Sequence, residues 1–331
     1  MSLLQEIRFM AKEPLVSVCT PVYNGEPFIA DCIQGVLAQR YSNFEYVIVD
    51  NASTDRTPEI IQKFSSKDSR IRAFHNPETI FVIDNLMTCV ARCSSESIWL
   101  KFALADDYLF PNTLDEMVGV GKISQDVGAV SAYRIVGRRW SNYGLPFGQT
   151  VFKGSSILKQ HLMTNLNVYS GSPNTVLYRK SAFDAVGGFN RRYLHADTAL
   201  AWRLMDRYDV GFAHCVCTKT NVHGRRESVG SIRSGRRIRE FMDFGFRSLP
   251  EYRSVSFAPE EIDDIATHYA SLVCGFLGRK AALLKVKEIR LMLNSCPDEI
   301  RSKVYRTLLT KPQGAIKGSL RELVGVARKR G

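Results

Sequence analysis

Phe44-Glu45-Tyr46-Val47-Ile48-Val49-Asp50-Asn51-Ala52-Ser53-Thr54-Asp55 is the stretch from which the fold can be read. A mostly apolar run rich in β-branched and aromatic residues reads as a buried strand. It runs directly into short polar side chains that favour a turn. Ile98-Trp99-Leu100-Lys101-Phe102-Ala103-Leu104, followed by Asp106-Asp107, repeats the pattern. Two acidic clusters, each just past a strand, put a site at one sheet edge, where open α/β sheets bind their ligands. Carboxylates at such an edge suit a nucleotide and a divalent cation, so the chain reads as an enzyme.

Strand and helix signals alternate on either side of that stretch. Leu15 to Thr20 reads as a central strand broken by Pro21-Val22-Tyr23-Asn24-Gly25, and Phe28, Ile29, Cys32, Ile33, Val36 and Leu37 recur at helical spacing. Ser53 or Thr54 is placed to cap a helix carrying Ile60, Ile61 and Phe64, and Ile71 to Phe74 reads as a third strand. Asn85 to Cys93 reads as a helix and Ser97 to Leu104 as the fourth strand. This alternation with short links implies a mostly parallel, doubly wound α/β sheet. A second region opens near Pro111: a helix with Leu114, Met117 and Val118 on one face, a strand over Val127 to Tyr133, and a loop from Arg138 to Gly154. A strand over Asn174 to Tyr178 and a helix over Asp197 to Tyr208 follow. Beyond Arg236 the pattern is helical, with a long helix from Glu260 to about Leu293. The expected layout is a nucleotide-binding half over 1–112, an acceptor-binding half of the same domain over 113–235, and a basic helical region over 236–331. No internal repeat is present.

At 331 residues the chain can bury a sizeable core. No apolar run approaches the roughly 20 residues that span a bilayer, and the first residues lack the order of a signal peptide. The eight cysteines show no Cys-x-x-Cys spacing and read as reduced core thiols, which points to the cytoplasm. Residues 225–331 carry 22 Lys/Arg against 12 Asp/Glu, nearly all of the net +12. That asymmetry points to an anionic partner. Arg233, Arg236, Arg237 and Arg239 form a basic run, but no helix-turn-helix, zinc or RNA-binding signature accompanies them, so nucleic acid is not expected. Ile316, Leu320, Leu323, Val324 and Ala327 share a helical face beside Lys317, Arg321, Arg328, Lys329 and Arg330, a pattern that suits an anionic membrane surface or a helix docked on the domain.

Three constellations carry chemistry. Pro21-Val22-Tyr23-Asn24 with Asp50 to Asp55 offers a ring for a base and polar groups for its edge and ribose. Asp106-Asp107 offers the oxygen ligands that Mg²⁺ and Mn²⁺ prefer. Gly187-Gly188-Phe189-Asn190, then His195-Ala196-Asp197, offers a tight turn and a carboxylate opening a helix. In that order, over roughly residues 14–228, the chain resembles a family 2 inverting glycosyltransferase of the GT-A fold. The resemblance rests on Val16 to Asn24, Val49 to Asp55, Ala105-Asp106-Asp107 with Pro111, and Gly187-Gly188-Phe189 with Asp197.

The resemblance implies that Pro21, Tyr23, Asn24, Asp50, Asn51, Asp55 and Asp106 bind a nucleotide-sugar donor, with UDP as its nucleotide. It implies that Asp106, Asp107 and His223 hold Mg²⁺ or Mn²⁺, and that Asp197 is the catalytic base, with Asp206 and Glu227 next in line. Arg225 and Arg226 are alternative partners for the phosphates. The expected acceptor is a saccharide or lipid-linked saccharide in cell-surface polysaccharide synthesis, met in the cytoplasm or at the inner face of the membrane. Three positions depart from the family pattern: Asn51 in place of an aspartate, Leu104 in place of the first acid of Asp-x-Asp, and Ala196 in place of the acid before the base. Leu104 and Ala196 leave open a non-catalytic sugar-nucleotide-binding relative. A sugar nucleotidyltransferase is the other alternative, but it wants a Gly-rich loop with an Arg after the first strand, and Pro21 to Pro27 holds one glycine and no arginine.

Overall fold

The structure, a computed structural model, describes residues 13–164, 168–169, 172–221, 236–280 and 296–310. His223, Arg225, Arg226, Glu227, Arg233 and the amphipathic stretch from Ile316 lie outside the described residues. The chain divides into two compact units, Met1–Leu158 with Leu166–His223, and Lys159–Asn165 with Gly224–Gly331.

The first unit is built on strands β1 (Val16–Val22), β2 (Phe44–Asp50), β3 (Ile71–His75), β4 (Trp99–Phe102), β5 (Asp107–Leu109), β6 (Val127–Val136), β7 (Arg139–Ser141), β8 (Val151–Phe152), β9 (Val176–Arg179) and β10 (Asp209–Thr220). They form one sheet in the order β3-β2-β1-β4-β9-β6-β10-β5, with β7 on β6 and β8 on β10. β1 pairs in parallel with β2 on one side and β4 on the other, so the winding reverses there. The crevice outside the ends of β1 and β4 is where such a sheet takes a ligand.

Helices α1 (Ile29–Leu37), α2 (Thr57–Ser65), α3 (Val82–Ala91), α4 (Thr113–Gly121), α5 (Gly154–Met163), α6 (Lys180–Ala185) and α7 (Ala196–Met205) punctuate the strands. Side chains alternate across a strand, so Val18, Tyr46 and Ile48 pack against Ile29, Ile33 and Val36 of α1 on one face. Cys19, Val47 and Val49 pack on the other with α3, α6 and α7, through Leu86, Phe183 and Leu200. Both faces are covered, which is why these strands read as continuous apolar runs.

Four differences from the sequence expectation concern the sheet beyond β4. β9 is antiparallel to both β4 and β6 and sits in the middle of the sheet. The stretch expected as a loop over Arg138 to Gly154 contains β7 and β8, whose short runs take their register from β6 and β10. β10 carries no strand signal in the sequence, because register shifts after Asp209, Ala213 and Val216 break its alternation. β5 is likewise without a signal, being three residues long.

The second unit contains α8 (Arg236–Met242), α9 (Pro259–Lys280) and α10 (Asp298–Thr310). Glu260, Glu261, Asp298 and Glu299 open α9 and α10, where carboxylates complement the helix dipole. Lys303 pairs with Asp263 at 2.6 Å. Among the described residues no helix is long and apolar enough to cross a membrane.

Candidate active site

The ends of β1, β2 and β3 are level, because Val22 pairs with Asp50 and Asp50 with His75. Just beyond them the loops after β1 and β2 are laced together. The Asn24 backbone N–H donates to Ser53 Oγ at 2.8 Å, and Thr54 N–H donates to Asn24 Oδ1 at 2.9 Å. Gly25 N–H reaches Thr57 Oγ1 and Glu26 N–H reaches Asp55 Oδ2. Asn24 and Ala52 have φ of 49° and 58°. Left-handed backbone at non-glycine residues costs free energy and persists where the surroundings enforce it, often at functional sites.

Asp55 accepts from the Thr57 backbone N–H and hydroxyl and from Glu26, and so pins the start of α2 where Ser53 or Thr54 was expected to do so. Burial would raise its carboxyl, but these hydrogen bonds outweigh that and hold it below its ordinary value. The Asn51 amide is spent in the same way. Its oxygen accepts from Asn76 Nδ2 and Ile80 N–H and its nitrogen donates to Ile80 O, which fixes the loop after β3. Pro21 is buried within β1. Tyr23, by contrast, stands 51% exposed at the strand end.

Asp50 stands out. It is 2% exposed, its Oδ2 is bonded to His75 Nδ1 at 2.6 Å and accepts from Ser53 N–H at 3.2 Å. Its Oδ1 is buried and, among the described residues, has no hydrogen-bond partner. A buried carboxylate oxygen left without a donor is costly. It marks the place where a ligand N–H or O–H would be received, beside an exposed aromatic ring.

The neighbouring acids Asp106 and Asp107 have different tasks. Asp107, at the start of β5, is buried and tied into the protein: Asn174 Nδ2 and Thr220 Oγ1 donate to Oδ2, and Asn221 N–H to Oδ1. Asp106 is half-buried and, with Asp107, Asp31, Tyr108, Lys219 and Asn221, lines a cleft of about 330 Å³. Among the described residues no three His, Cys, Asp or Glu side chains gather as a metal cage. The carboxylates instead fit a hard cation of the Mg²⁺ type, held by one or two protein oxygens and by the substrate's own phosphates.

Beneath them Lys101 is fully buried on β4 and donates to Asn174 O, the same asparagine that holds Asp107. Burial pulls the Lys101 ammonium down from 10.5 to about 7, against a smaller upward pull from Cys217 and Asp107. The unfolded chain therefore holds a proton that the native chain lacks between those two values. This contribution makes stability rise with pH from about 7 to 10.5 and stay level outside that window. In denaturant titrations the stability of wild type relative to Lys101→Met should climb by up to about 1.4 kcal/mol per pH unit within it. A difference that is flat with pH would mean that Lys101 stays charged.

Asp197 lies in the first turn of α7 and is half-buried. It is near enough to the buried Tyr178 for its charge to add to burial in pushing that phenol up. The turn before it is held by Arg203, which donates to Val186 O and Gly188 O. Gly187 and Gly188 have φ of 80° and 59°, and a Cβ on Gly188 would fall 2.8 Å from the Phe183 ring, so glycine is required there. Asp206 caps the far end of α7, about 13 Å along the axis, and cannot stand in for Asp197. His75, Lys101, Asn174, Thr220 and Asn221 are not read as site residues from the sequence. A lysine inside the run Trp99 to Phe102 was the one available signal.

Residues 17–187 match the family model described as Glycosyl transferase family 2. EpsJ of Bacillus subtilis (strain 168), described as an uncharacterized glycosyltransferase, is 44% identical over 62 residues. Those are 19% of this chain and 18% of EpsJ, so the match spans about a fifth of that relative's length. S. aureus TarS 1–349 in complex with UDP-GlcNAc superposes with a TM-score of 0.55 at 16% identity, covering 88% of this chain and 91% of that one. The mannosyltransferase PcManGT from Pyrobaculum calidifontis, in complex with GDP-Man and Mn²⁺, has a TM-score of 0.55 at 18% identity, covering 98% and 92%. At such identities the likeness is one of fold, the GT-A fold.

Proposed function

Since the chain belongs to glycosyl transferase family 2, we propose that it is an inverting transferase in cell-surface polysaccharide synthesis. It moves a sugar from a UDP-linked donor to a hydroxyl of a saccharide or lipid-linked saccharide. The observation that carries the donor reading is the unpartnered, buried Oδ1 of Asp50 beside Tyr23. An imide N–H of a pyrimidine base satisfies that oxygen while the Tyr23 ring lies against the base. The complex of TarS with UDP-GlcNAc supports UDP as the nucleotide.

Asp106 faces the cleft and would hold a divalent cation together with the diphosphate oxygens; Asp107 keeps the Asp106 backbone in place through Asn221, whose Nδ2 also reaches Asp106 O at 2.8 Å. When bound, the cation supplies Lewis-acid stabilisation of the charge on the leaving diphosphate. Asp197 accepts the proton of the acceptor hydroxyl as its oxygen attacks the anomeric carbon. The bond to the diphosphate breaks in line, so one displacement inverts the anomeric centre. A positioned base of this kind contributes about 10²–10⁴-fold.

Thermal shift with UDP-, GDP- and dTDP-sugars in Mn²⁺ tests the donor assignment, because a ligand that binds only the native state raises apparent stability. UDP-sugars should raise the melting temperature most, and Asp50→Ala should lose most of that shift. An undiminished UDP-sugar shift in Asp50→Ala would remove the case for Asp50 as the base reader, a contact that uracil and thymine share through the same imide N–H.

A further inference from the structure

A second built surface lies at the same sheet edge. Asp107, Thr220, Val136 and Arg139 are cross-strand partners on β5, β10, β6 and β7 in turn. Arg139 is thus three strand spacings, ~14 Å, from Asp107. The β6–β7 hairpin and the segment after it carry Trp140, Tyr143 and Phe147, which are 59%, 70% and 78% exposed. Arg138 and Arg139 are also exposed, and neither is in an ion pair among the described residues.

These rings are exposed on an anchored segment. His214 Nε2–H donates to Gln149 O at 2.8 Å, and its Nδ1 is hydrogen-bonded to the Tyr133 hydroxyl at 3.0 Å. Phe212 N–H donates to Thr150 O and Asn142 Nδ2 to Ala132 O. Phe147 lies over His214 with ring centres 5.3 Å apart, and Trp140 lies 5.8 Å from Tyr133. Tyr133 is an even number of residues from Ala129, so it faces the same side of the sheet as Ala129, Tyr178 and α7. That is the side on which Asp197 lies.

We propose that Trp140, Tyr143 and Phe147, with Arg138 at the hairpin turn, form an acceptor subsite for an acidic oligosaccharide. The inference rests on the reading of the chain as a glycosyltransferase and adds the chemical class of its acceptor. Flat aromatic faces take the C–H face of a pyranose ring at little entropic cost. The Arg138 guanidinium, at the turn of the same hairpin, can bind a carboxylate or phosphate by paired hydrogen bonds, whereas Arg139, cross-strand to Val136, faces the other side of the sheet from Trp140. The platform lies beside the edge that holds Asp107, so a chain laid along it points toward the donor.

The test uses an array of neutral, uronate-bearing and phosphate-bearing oligosaccharides, with UDP release from UDP-GlcNAc into water measured on the same preparations. The full chain is compared with Trp140→Ala/Phe147→Ala and Arg138→Ser, all at surface positions. Wild type should retain acidic saccharides, and the uronate and phosphate arms identify the acid. The ring variant should lose at least about tenfold in affinity, and the arginine variant should lose its preference for acidic over neutral chains. UDP release into water should be unchanged in both variants. No retention by wild type, or undiminished retention by the ring variant, overturns the subsite. So does ring-dependent binding to anionic phosphatidylglycerol vesicles without saccharide binding, which would mark a membrane contact. Array binding without UDP release in any preparation supports the platform and instead refutes the donor reading.

Discussion

Asp197→Asn should release UDP from a UDP-sugar about 10²-fold or more slowly than wild type, with donor affinity and melting temperature little changed. Asparagine keeps the shape of the side chain and its ability to serve the first turn of α7, but it cannot take a proton. A loss confined to kcat marks an interaction made in the transition state rather than in donor binding. The competing role for Asp197 is a charge complementing the α7 dipole, worth about 0.3–1 kcal/mol of stability. That role predicts the reverse pattern: a lower melting temperature with near-normal turnover. Kinetics at saturating donor and a circular dichroism melt on one preparation separate the two. Normal turnover in Asp197→Asn would move the base elsewhere. Asp206 is excluded by its place at the far end of the helix, which leaves Glu227, outside the described residues.

The second large effect separates two adjacent aspartates. Asp106→Ala should fold normally and lose sugar transfer to background, as the wild type should in EDTA, with recovery on adding Mn²⁺ to wild type only. Asp107→Ala should fail differently. Without its carboxylate the buried Asn174 amide, the Thr220 hydroxyl and the Asn221 N–H lose their acceptor. Each such group left unsatisfied costs about 1–3 kcal/mol, so a lowered denaturation midpoint should accompany any loss of activity. Full activity of wild type in metal-free buffer would sink the cation assignment. Unchanged stability in Asp107→Ala would contradict its place in the buried network.

The sequence separates these roles only in part. Val47 to Asp55 announces a strand ending in a polar turn, and Cys32, Ile33 and Val36 announce the face that α1 buries. Residues within one motif then diverge because of the strand ends they occupy. Asp50 keeps an unpartnered oxygen, while Asn51 and Asp55 are consumed in holding the surrounding loops. Asp106 and Asp107 are indistinguishable as letters. Both line the cleft, but Asp107 begins β5 and is buried in a hydrogen-bond network, whereas Asp106 precedes the strand and is half-buried. The partners that decide this, Asn174 and Thr220, are 67 and 113 residues away. The antiparallel insertion of β9 and the bulged β10 are set by such distant pairings, and no local period announces them. The arginine and aromatic richness of 138–154 is legible in the sequence, but the hairpin that arrays those residues takes shape only against β6.

The central claim is a single displacement at the anomeric carbon, and proton NMR of the first sugar released tests it most directly. An α-linked UDP-hexose in Mn²⁺, with water as acceptor, should give the β-hexose in the earliest spectra, before mutarotation mixes the anomers. Free α-hexose appearing first would contradict the inverting mechanism and the role of Asp197 as its base.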